Sequence, residues 1–333
     1  MKLKLSGLLF SILLSWAHVI FAQSELQFVN IGDFETSGGD IIKDCTIGFR
    51  TVGKLNDEKN NVVLWPTWFT GTSEQVINFG FTNSLIDTTG LFIVIVDALT
   101  NGVSSSPSNT PDFPPVSIRD MVNSQYSLLV NHIGINHLLA VTGISMGGMQ
   151  TFEWVVAYPD FMDKAIPIVG SPKQSSYDKL VWQTMADLIT EAGQDAHKID
   201  FAYKRAHNIL LMNVNTPTQF ANTHDADSLD IYLETEYSRL MKPEDYLGGL
   251  NAMISHDIYK SADSNLKNLK NIIKADMLIV PAIQDHLVNP LSAIELSKEL
   301  DAELVTLESD CGHMAFACEA EKIKKEITTF LKK

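Results

Sequence analysis

The chain has 333 residues, of which 45% are apolar and 20% charged, with unremarkable glycine and proline counts of 19 and 12. That composition excludes a disordered chain, a collagen-like fibre and a disulfide-dense mini-protein, and the length allows a full core without cross-links. With 25 basic against 40 acidic residues the net charge is −15, which repels polyanions and sets nucleic acid aside as a partner.

Residues 1–22 stand apart from the rest. Lys2 and Lys4 make a short basic start, and Leu5 to Ala22 then carries no acid or base except His18. The pattern reads as a secretory signal cut after the small Ala22, although Ile20 two residues earlier is bulky for that role. A retained membrane anchor is the alternative, because the run borders on spanning length. Removal of residues 1–22 leaves 23 basic against 40 acidic residues, a charge of −17, and predicts a periplasmic or secreted protein that meets the membrane only through its cleaved signal. Of the three cysteines, Cys45, Cys311 and Cys318, none has zinc-site spacing. An exported chain permits a Cys311–Cys318 disulfide, with free buried thiols as the alternative.

Beyond the leader, strand-like runs come first: Leu26–Ile31, Cys45–Val52, Val62–Pro66 and Leu91–Val96. The last two are continuously apolar, as strands buried on both faces of a parallel sheet are. A helix pattern runs from Ser117 to Ile133, after Pro114 and Pro115 and with Asp120 in its first turn. Leu138–Val141 reads as a strand, Met146–Ala157 as a helix and Lys164–Val169 as a strand. The rhythm then breaks. Tyr177–Thr190, Phe201–Met212, Ser228–Met241 and Pro243–Ile254 are helix-like, with no clear strand among them. It resumes with the strand Met277–Ala282, the helix Leu291–Leu300, the strand Ala302–Leu307 and an amphipathic helix, Glu319–Leu331. Alternating strands and helices predict an α/β fold with a mostly parallel central sheet and helices on both faces. The core is expected over 23–171 and 269–333, and 172–268 as an inserted helical cap.

The sharpest local signal is Gly143-Ile144-Ser145-Met146-Gly147, a G-x-S-x-G run between a strand and a helix. In that setting the serine sits on a tight turn that exposes its hydroxyl at the sheet's carboxyl edge, beside the next helix's N-terminal amides. A plain glycine-rich turn is the bland alternative. A serine hydroxyl needs a base and an orienting acid, and around such an elbow they follow in the order serine, acid, histidine. Asp285, just past the strand Met277–Ala282, is the expected acid; a turn cap would be its structural role. His313, in the loop after the last strand, is the expected base. Asp310 is a rival acid by proximity, and His286 reads as a surface histidine. The oxyanion needs preset donors. The Met146 amide is one, and the Phe69 amide, in the loop Pro66–Gly71, is the expected second. Trp68 and Phe69 could also serve only as pocket walls. No metal or cofactor is implied.

Taken together these segments resemble the homoserine O-acetyltransferase family of α/β hydrolases. The likeness rests on Asp112-Phe113-Pro114-Pro115-Val116-Ser117-Ile118-Arg119-Asp120-Met121-Val122, on Ser145-Met146-Gly147-Gly148-Met149-Gln150 with Glu153-Trp154 and Tyr158-Pro159-Asp160, and on Asp285 and Gly312-His313. It covers roughly Gly48 to Lys333 and implies an α/β-hydrolase fold, a Ser145–His313–Asp285 triad and an acyl-serine intermediate. Family members are often dimers through the cap, so a homodimer is implied as well. Arg119 and Asp120 match family positions and read as structural, an ion pair or cap holding the helix. Two departures bear on function. Where the acetyltransferases follow the histidine with an aspartate that holds the substrate's amino group, this chain has Met314. The lid arginine that grips the substrate carboxylate has no convincing match, and Lys204-Arg205 is the nearest basic pair. The loop Asp97–Ser105 is rewritten too.

The expectation is therefore an exported ester hydrolase acting on a small-molecule ester, with Trp68 and Met314 lining a mostly apolar pocket. The alternative is an O-acyltransferase, such as homoserine O-acetyltransferase, that uses acetyl-CoA. A non-catalytic binding protein on the same scaffold is a third reading, against which the complete triad argues.

Overall fold

The computed structural model describes residues 25–333, so the leader reading at 1–22 lies outside the described residues. The chain opens with β1 (Gln27–Asn30), a short hairpin of β2 (Phe34–Glu35) and β3 (Ile41–Ile42), then β4 (Thr46–Gly53) and β5 (Val62–Pro66). Helices α1 (Ser73–Asn78) and α2 (Phe81–Ser84) precede β6 (Phe92–Val96). Then come α3 (Ile118–Ser127), β7 (Leu138–Ile144), α4 (Met146–Ala157) and β8 (Met162–Ile168). The inserted helical region holds α5 (Ser176–Glu191), α6 (Ala196–Val214), α7 (Pro217–Thr223), α8 (Leu229–Tyr237), α9 (Pro243–Ser255) and α10 (Leu266–Ile272). The core closes with β9 (Asp276–Ile279), α11 (Leu291–Leu300), β10 (Glu303–Leu304), α12 (Ala315–Cys318) and α13 (Ala320–Leu331).

Eight strands form one sheet in the order β1-β4-β6-β5-β7-β8-β9-β10. The β1–β4 and β4–β6 pairs are antiparallel, and every pair from β6 to β10 is parallel. The period-2 alternation of strand side chains builds two cores. Val62 and Leu64 of β5, with Val94 and Val96 of β6, pack on the face covered by α3, α4 and the inserted helices. Val63 and Trp65, with Ile93 and Ile95, pack on the opposite face, where Ile323, Ile327 and Phe330 of α13 lie. Burial on both faces is why β5 and β6 read as unbroken apolar runs.

The expected elements are found, with shifts that have local causes. Met277–Ala282 is a strand only over β9, since Pro281 cannot donate to a ladder; Val280 and Ala282 continue it as isolated bridges to Ile168 and Leu307. The Ser117–Ile133 helix is α only to Ser127, then widens into a π turn over Leu128–Ile133 that stops at Gly134, φ 71°. Five short helices, α1, α2, α7, α10 and α12, were not expected.

Helix starts show how the elbow differs. Thr72, Ser117 and Ser175 each cap α1, α3 and α5 with a side-chain bond to the N3 amide, answered by Gln75, Asp120 and Asp178. Asp120 is thus the structural cap expected of it. Ser145 occupies the same position before α4, yet its hydroxyl caps nothing.

Candidate active site

Ser145 is held at φ 59° and ψ −119°, a region L residues rarely occupy, at the turn between β7 and α4. Its amide donates to the Ile168 carbonyl of β8 (2.9 Å), so the strained turn is tied to the neighbouring strand. Close backbone packing demands the flanking glycines. A Cβ on Gly143 would come within 2.5 Å of the Gly147 carbonyl carbon, and one on Gly147 within 2.5 Å of the Pro66 carbonyl oxygen.

The other two triad candidates arrive from separate loops. Asp285 follows β9, and its Oδ1 accepts the Leu287 and Val288 amides, both at 2.8 Å. Its Oδ2 takes the Nδ1 proton of His313 at 2.6 Å. Because a carboxylate only accepts, this bond holds the imidazole proton on Nδ1 and leaves Nε2 as the basic nitrogen. Both side chains are buried. Ser145 and His313 line one cavity, and no direct hydrogen bond joins them among the described residues; such bonds are often long before substrate arrives. Asp310, the rival acid, is exposed, and its carbonyl is taken by the Thr216 hydroxyl (2.5 Å). His286 is exposed, as expected.

His313 lies in a tight turn, Gly312–Met314, at the start of the segment closed by a Cys311–Cys318 disulfide; Cys45 is buried and free. Gly312 (φ 65°) abuts the end of α6: a Cβ there would meet the Thr216 amide at 2.9 Å. The histidine loop therefore rests directly on the inserted helices.

The two expected oxyanion donors, the Phe69 and Met146 amides, have no hydrogen-bond partner within the chain among the described residues. Met146 is the first residue of α4, where helix amides are unsatisfied by construction. Phe69 belongs to a loop pinned along its length. Thr67 Oγ1 accepts the Ala98 amide (3.0 Å), the Thr67 carbonyl accepts Gln150 Nε2 (3.0 Å), and the Gly71 carbonyl accepts Asn101 Nδ2 (3.1 Å). Behind Gln150 runs a buried amide chain: Gln125 Nε2 donates to Gln150 Oε1 (2.6 Å), and Trp154 Nε1 to Gln125 Oε1 (2.8 Å). The rewritten loop Asp97–Ser105 is thus a support. Asp97 accepts the Ser73 amide (2.7 Å), the Ser73 hydroxyl and Asn101, and burial pushes its carboxyl above the ordinary range against those bonds.

Arg119 has the structural role expected of it, through an ion pair to Glu153 that the sequence did not name, extended by Arg119 to Ser261 (2.8 Å) and by Glu153 to His256 (3.5 Å). The network ties α3 and α4 to the far end of the inserted region. Burial pushes Glu153 up, but His256 and Arg119 outweigh it and hold its carboxyl below the ordinary value.

A cavity of about 460 Å³ opens onto Ser145 and His313. Trp68 and Met314 both line it, as expected, joined by Phe79, Phe81 and Phe316. His313 is the only titratable side chain in its wall, among the described residues. Lys204 pairs instead with Asp200 (2.9 Å), and Arg205 stacks on Phe201 (4.5 Å). The aromatic walls from α2 and α12 and the aliphatic walls from α6 were not foreseen. Only the capping box at Thr72–Gln75 marks α1 locally, and nothing local says that Phe79 and Phe81 face a serine some sixty residues on.

A family model for the alpha/beta hydrolase fold matches residues 61–319. The chain belongs to the α/β hydrolase fold family. Within it, the protein falls among the homoserine O-acetyltransferase-like members, which include acetylesterases, and it is a hydrolase of the α/β-hydrolase superfamily. It is 29% identical over 321 residues to an ethyl acetate hydrolase of Pseudomonas veronii, covering 89% of this chain and 92% of that one. A probable esterase of Corynebacterium glutamicum is 37% identical over 175 residues, half the length of each chain. A homoserine O-acetyltransferase of Methanococcoides burtonii is 28% identical over 90% of this α/β hydrolase and 72% of its own length. Among solved structures, an acetylester hydrolase from Corynebacterium glutamicum superposes with a TM-score of 0.81 at 27% identity, over 93% of this chain and 95% of that one.

Proposed function

We propose that the protein is an exported esterase that cleaves acetyl esters through an acyl-serine. Ser145 attacks the ester carbonyl while His313 Nε2 takes its proton. Asp285 keeps the imidazole oriented and balances its charge, and the Phe69 and Met146 amides hold the tetrahedral oxyanion. The imidazolium then protonates the departing alcohol, and His313 next activates a water that releases acetate.

The observation that carries the choice of water over a specific acceptor is the cavity wall. Beside His313 stands Met314, and among the described residues no carboxylate, lysine or arginine lines the cavity to hold a zwitterionic alcohol. The ethyl acetate hydrolase and acetylester hydrolase relatives favour the acetyl group. The similarity to homoserine O-acetyltransferases favours the second reading, acyl transfer to an alcohol with the same acyl-serine. Export is supported by the leader-like residues 1–22 and by the Cys311–Cys318 disulfide, a bond that persists in oxidising compartments.

One assay set separates these readings. The protein lacking residues 1–22 should give a p-nitrophenyl acetate burst that disappears in Ser145→Ala; unchanged turnover in that variant rejects the nucleophile. With acetyl-CoA and homoserine supplied together, free acetate should far exceed O-acetylhomoserine, and the reverse partition establishes the transferase.

A further inference from the structure

Ser145 stands between two cavities of very different size. The larger, about 460 Å³, falls inside the range of about 300–1,000 Å³ usual for small-molecule sites. The smaller, about 10 Å³, is at the lower limit of space for one water or one methyl group, roughly 10–15 Å³. Ser145, Phe69, Leu210 and Leu287 belong to both walls. His313 belongs only to the larger, while Trp182, Met185, Leu250, Met253 and Val288 belong only to the smaller.

This asymmetry assigns the two halves of an ester. As the acyl carbon bonds to Ser145 Oγ and its bond to the alcohol oxygen breaks, that oxygen must receive the proton held on His313 Nε2. The alcohol half must therefore occupy the cavity that His313 lines, and the acyl chain is left with the other. Resting on the esterase reading above, we infer that the substrates are acetate esters of bulky, apolar alcohols that carry no carboxylate, arylalkyl or medium-chain alkyl.

The walls of the alcohol chamber support that class. Trp68 stacks with Phe79 at 6.2 Å between centroids, Phe81 meets Trp68 edge-on at 5.7 Å, and Phe316 meets Phe81 at 5.4 Å. Apart from His313 the chamber offers ring faces and a thioether, and no lysine or arginine among the described residues, so an alcohol bearing a carboxylate would be desolvated without compensation. Phe79 is 59% exposed and stands at the mouth, where part of its ring would be covered by a bulky alcohol but untouched by ethanol. On the acyl side, Trp182, Leu250 and Met253 are buried and leave no room beyond a methyl.

The test is kcat/KM for the protein lacking residues 1–22 on ethyl acetate, 2-phenylethyl acetate, 2-phenylethyl butyrate and 4-(2-acetoxyethyl)benzoate. We expect 2-phenylethyl acetate to exceed ethyl acetate about tenfold or more, and lengthening the acyl group to butyryl to cost at least as much. The benzoate should fall below 2-phenylethyl acetate by a larger factor. Phe79→Ala should shrink the 2-phenylethyl to ethyl ratio. Met253→Ala should raise butyrate relative to acetate, and Val288→Ala is the smaller truncation to read if that variant does not fold. Equal or better use of ethyl acetate, or a preference for the benzoate, overturns the inference and leaves the esterase reading intact. Free tolerance of butyryl by the wild type overturns the assignment of the two cavities. Inertness toward all four esters overturns the esterase reading and this inference together.

Discussion

The turn that presents Ser145 and the inserted helices that roof it enclose the same two cavities but are built on different terms. At the turn, backbone contacts decide the structure. Ser145 donates its amide to Ile168 from a strained conformation, glycines at 143 and 147 are required by backbone lying 2.5 Å from their absent Cβ atoms, and the Met146 amide is left unbonded. In the roof, ordinary apolar side chains make the wall: Trp182 and Met185 of α5, Leu210 and Val214 of α6, Leu250 and Met253 of α9. Each pair is three or four residues apart, the spacing of any buried helix stripe. The turn admits almost no substitution because chemistry needs fixed positions, whereas the roof could exchange one aliphatic residue for another and alter only what fits. Reaction type and substrate range are thus carried by different regions.

This contrast predicts that changes below the cavity cost rate, and that changes at the junction with the roof cost stability first. Asp285→Asn should be the most damaging, because an amide can present its N–H to Nδ1 and favour the wrong tautomer; a fall in kcat of about 10⁴ is expected from steady-state kinetics on p-nitrophenyl acetate. Gln150→Leu should be intermediate. It leaves the Thr67 carbonyl without its donor and frees the loop that carries the Phe69 amide. We expect kcat to drop about ten- to a hundredfold, less than the loss of an oxyanion donor outright, with KM for the ester nearly unchanged. A matching rise in KM would instead mean that the loop serves substrate binding.

The smallest effect concerns the junction itself. Glu153, on α4, has its carboxyl held below the ordinary range by His256 and Arg119 despite its burial. A depressed carboxylate contributes stability that is complete above its unfolded value, about 4.3, and is lost as pH falls through the folded value. Asp97 and Asp178 are raised, by burial first, and act in the opposite sense. The informative quantity is therefore a difference: the melting temperature of wild type minus that of Glu153→Gln should shrink as pH is lowered below about 4.3. A difference independent of pH would show that the network holds through shape rather than charge.

Local patterns were enough for much of the molecule. Continuous apolar runs marked β5 and β6 because both of their faces are buried. Gly143, Ser145 and Gly147 marked the elbow because few other residues fit so close a turn, and chain order led from there to Asp285 and His313. The structural roles of Arg119 and Asp120 were legible from the motif they share, while Glu153 as the partner of Arg119 was not. Short helices were not. The short α1 and the single turn of α2 are too brief for periodicity to register, so Phe79 at the end of α1 and Phe81 on α2 went unrecognised as cavity walls.

What the sequence determined by itself was the α/β class and the strained turn at Ser145, since both depend on conformational limits felt within a few residues, and chain order then named Asp285 and His313 as its candidate partners. The leader-like start, Met314 in place of an aspartate and the absence of a matching lid arginine were legible there too. Only the tertiary structure decided which cysteines pair, how Gln150 and Asn101 pin the oxyanion loop, and that one side of Ser145 is a methyl-sized recess and the other an aromatic chamber. Those features arise where α1, α2, α6, α9 and α12 converge from segments up to about two hundred and forty residues apart. No local propensity encodes such a distance; it is set by how the sheet and its inserted helices pack.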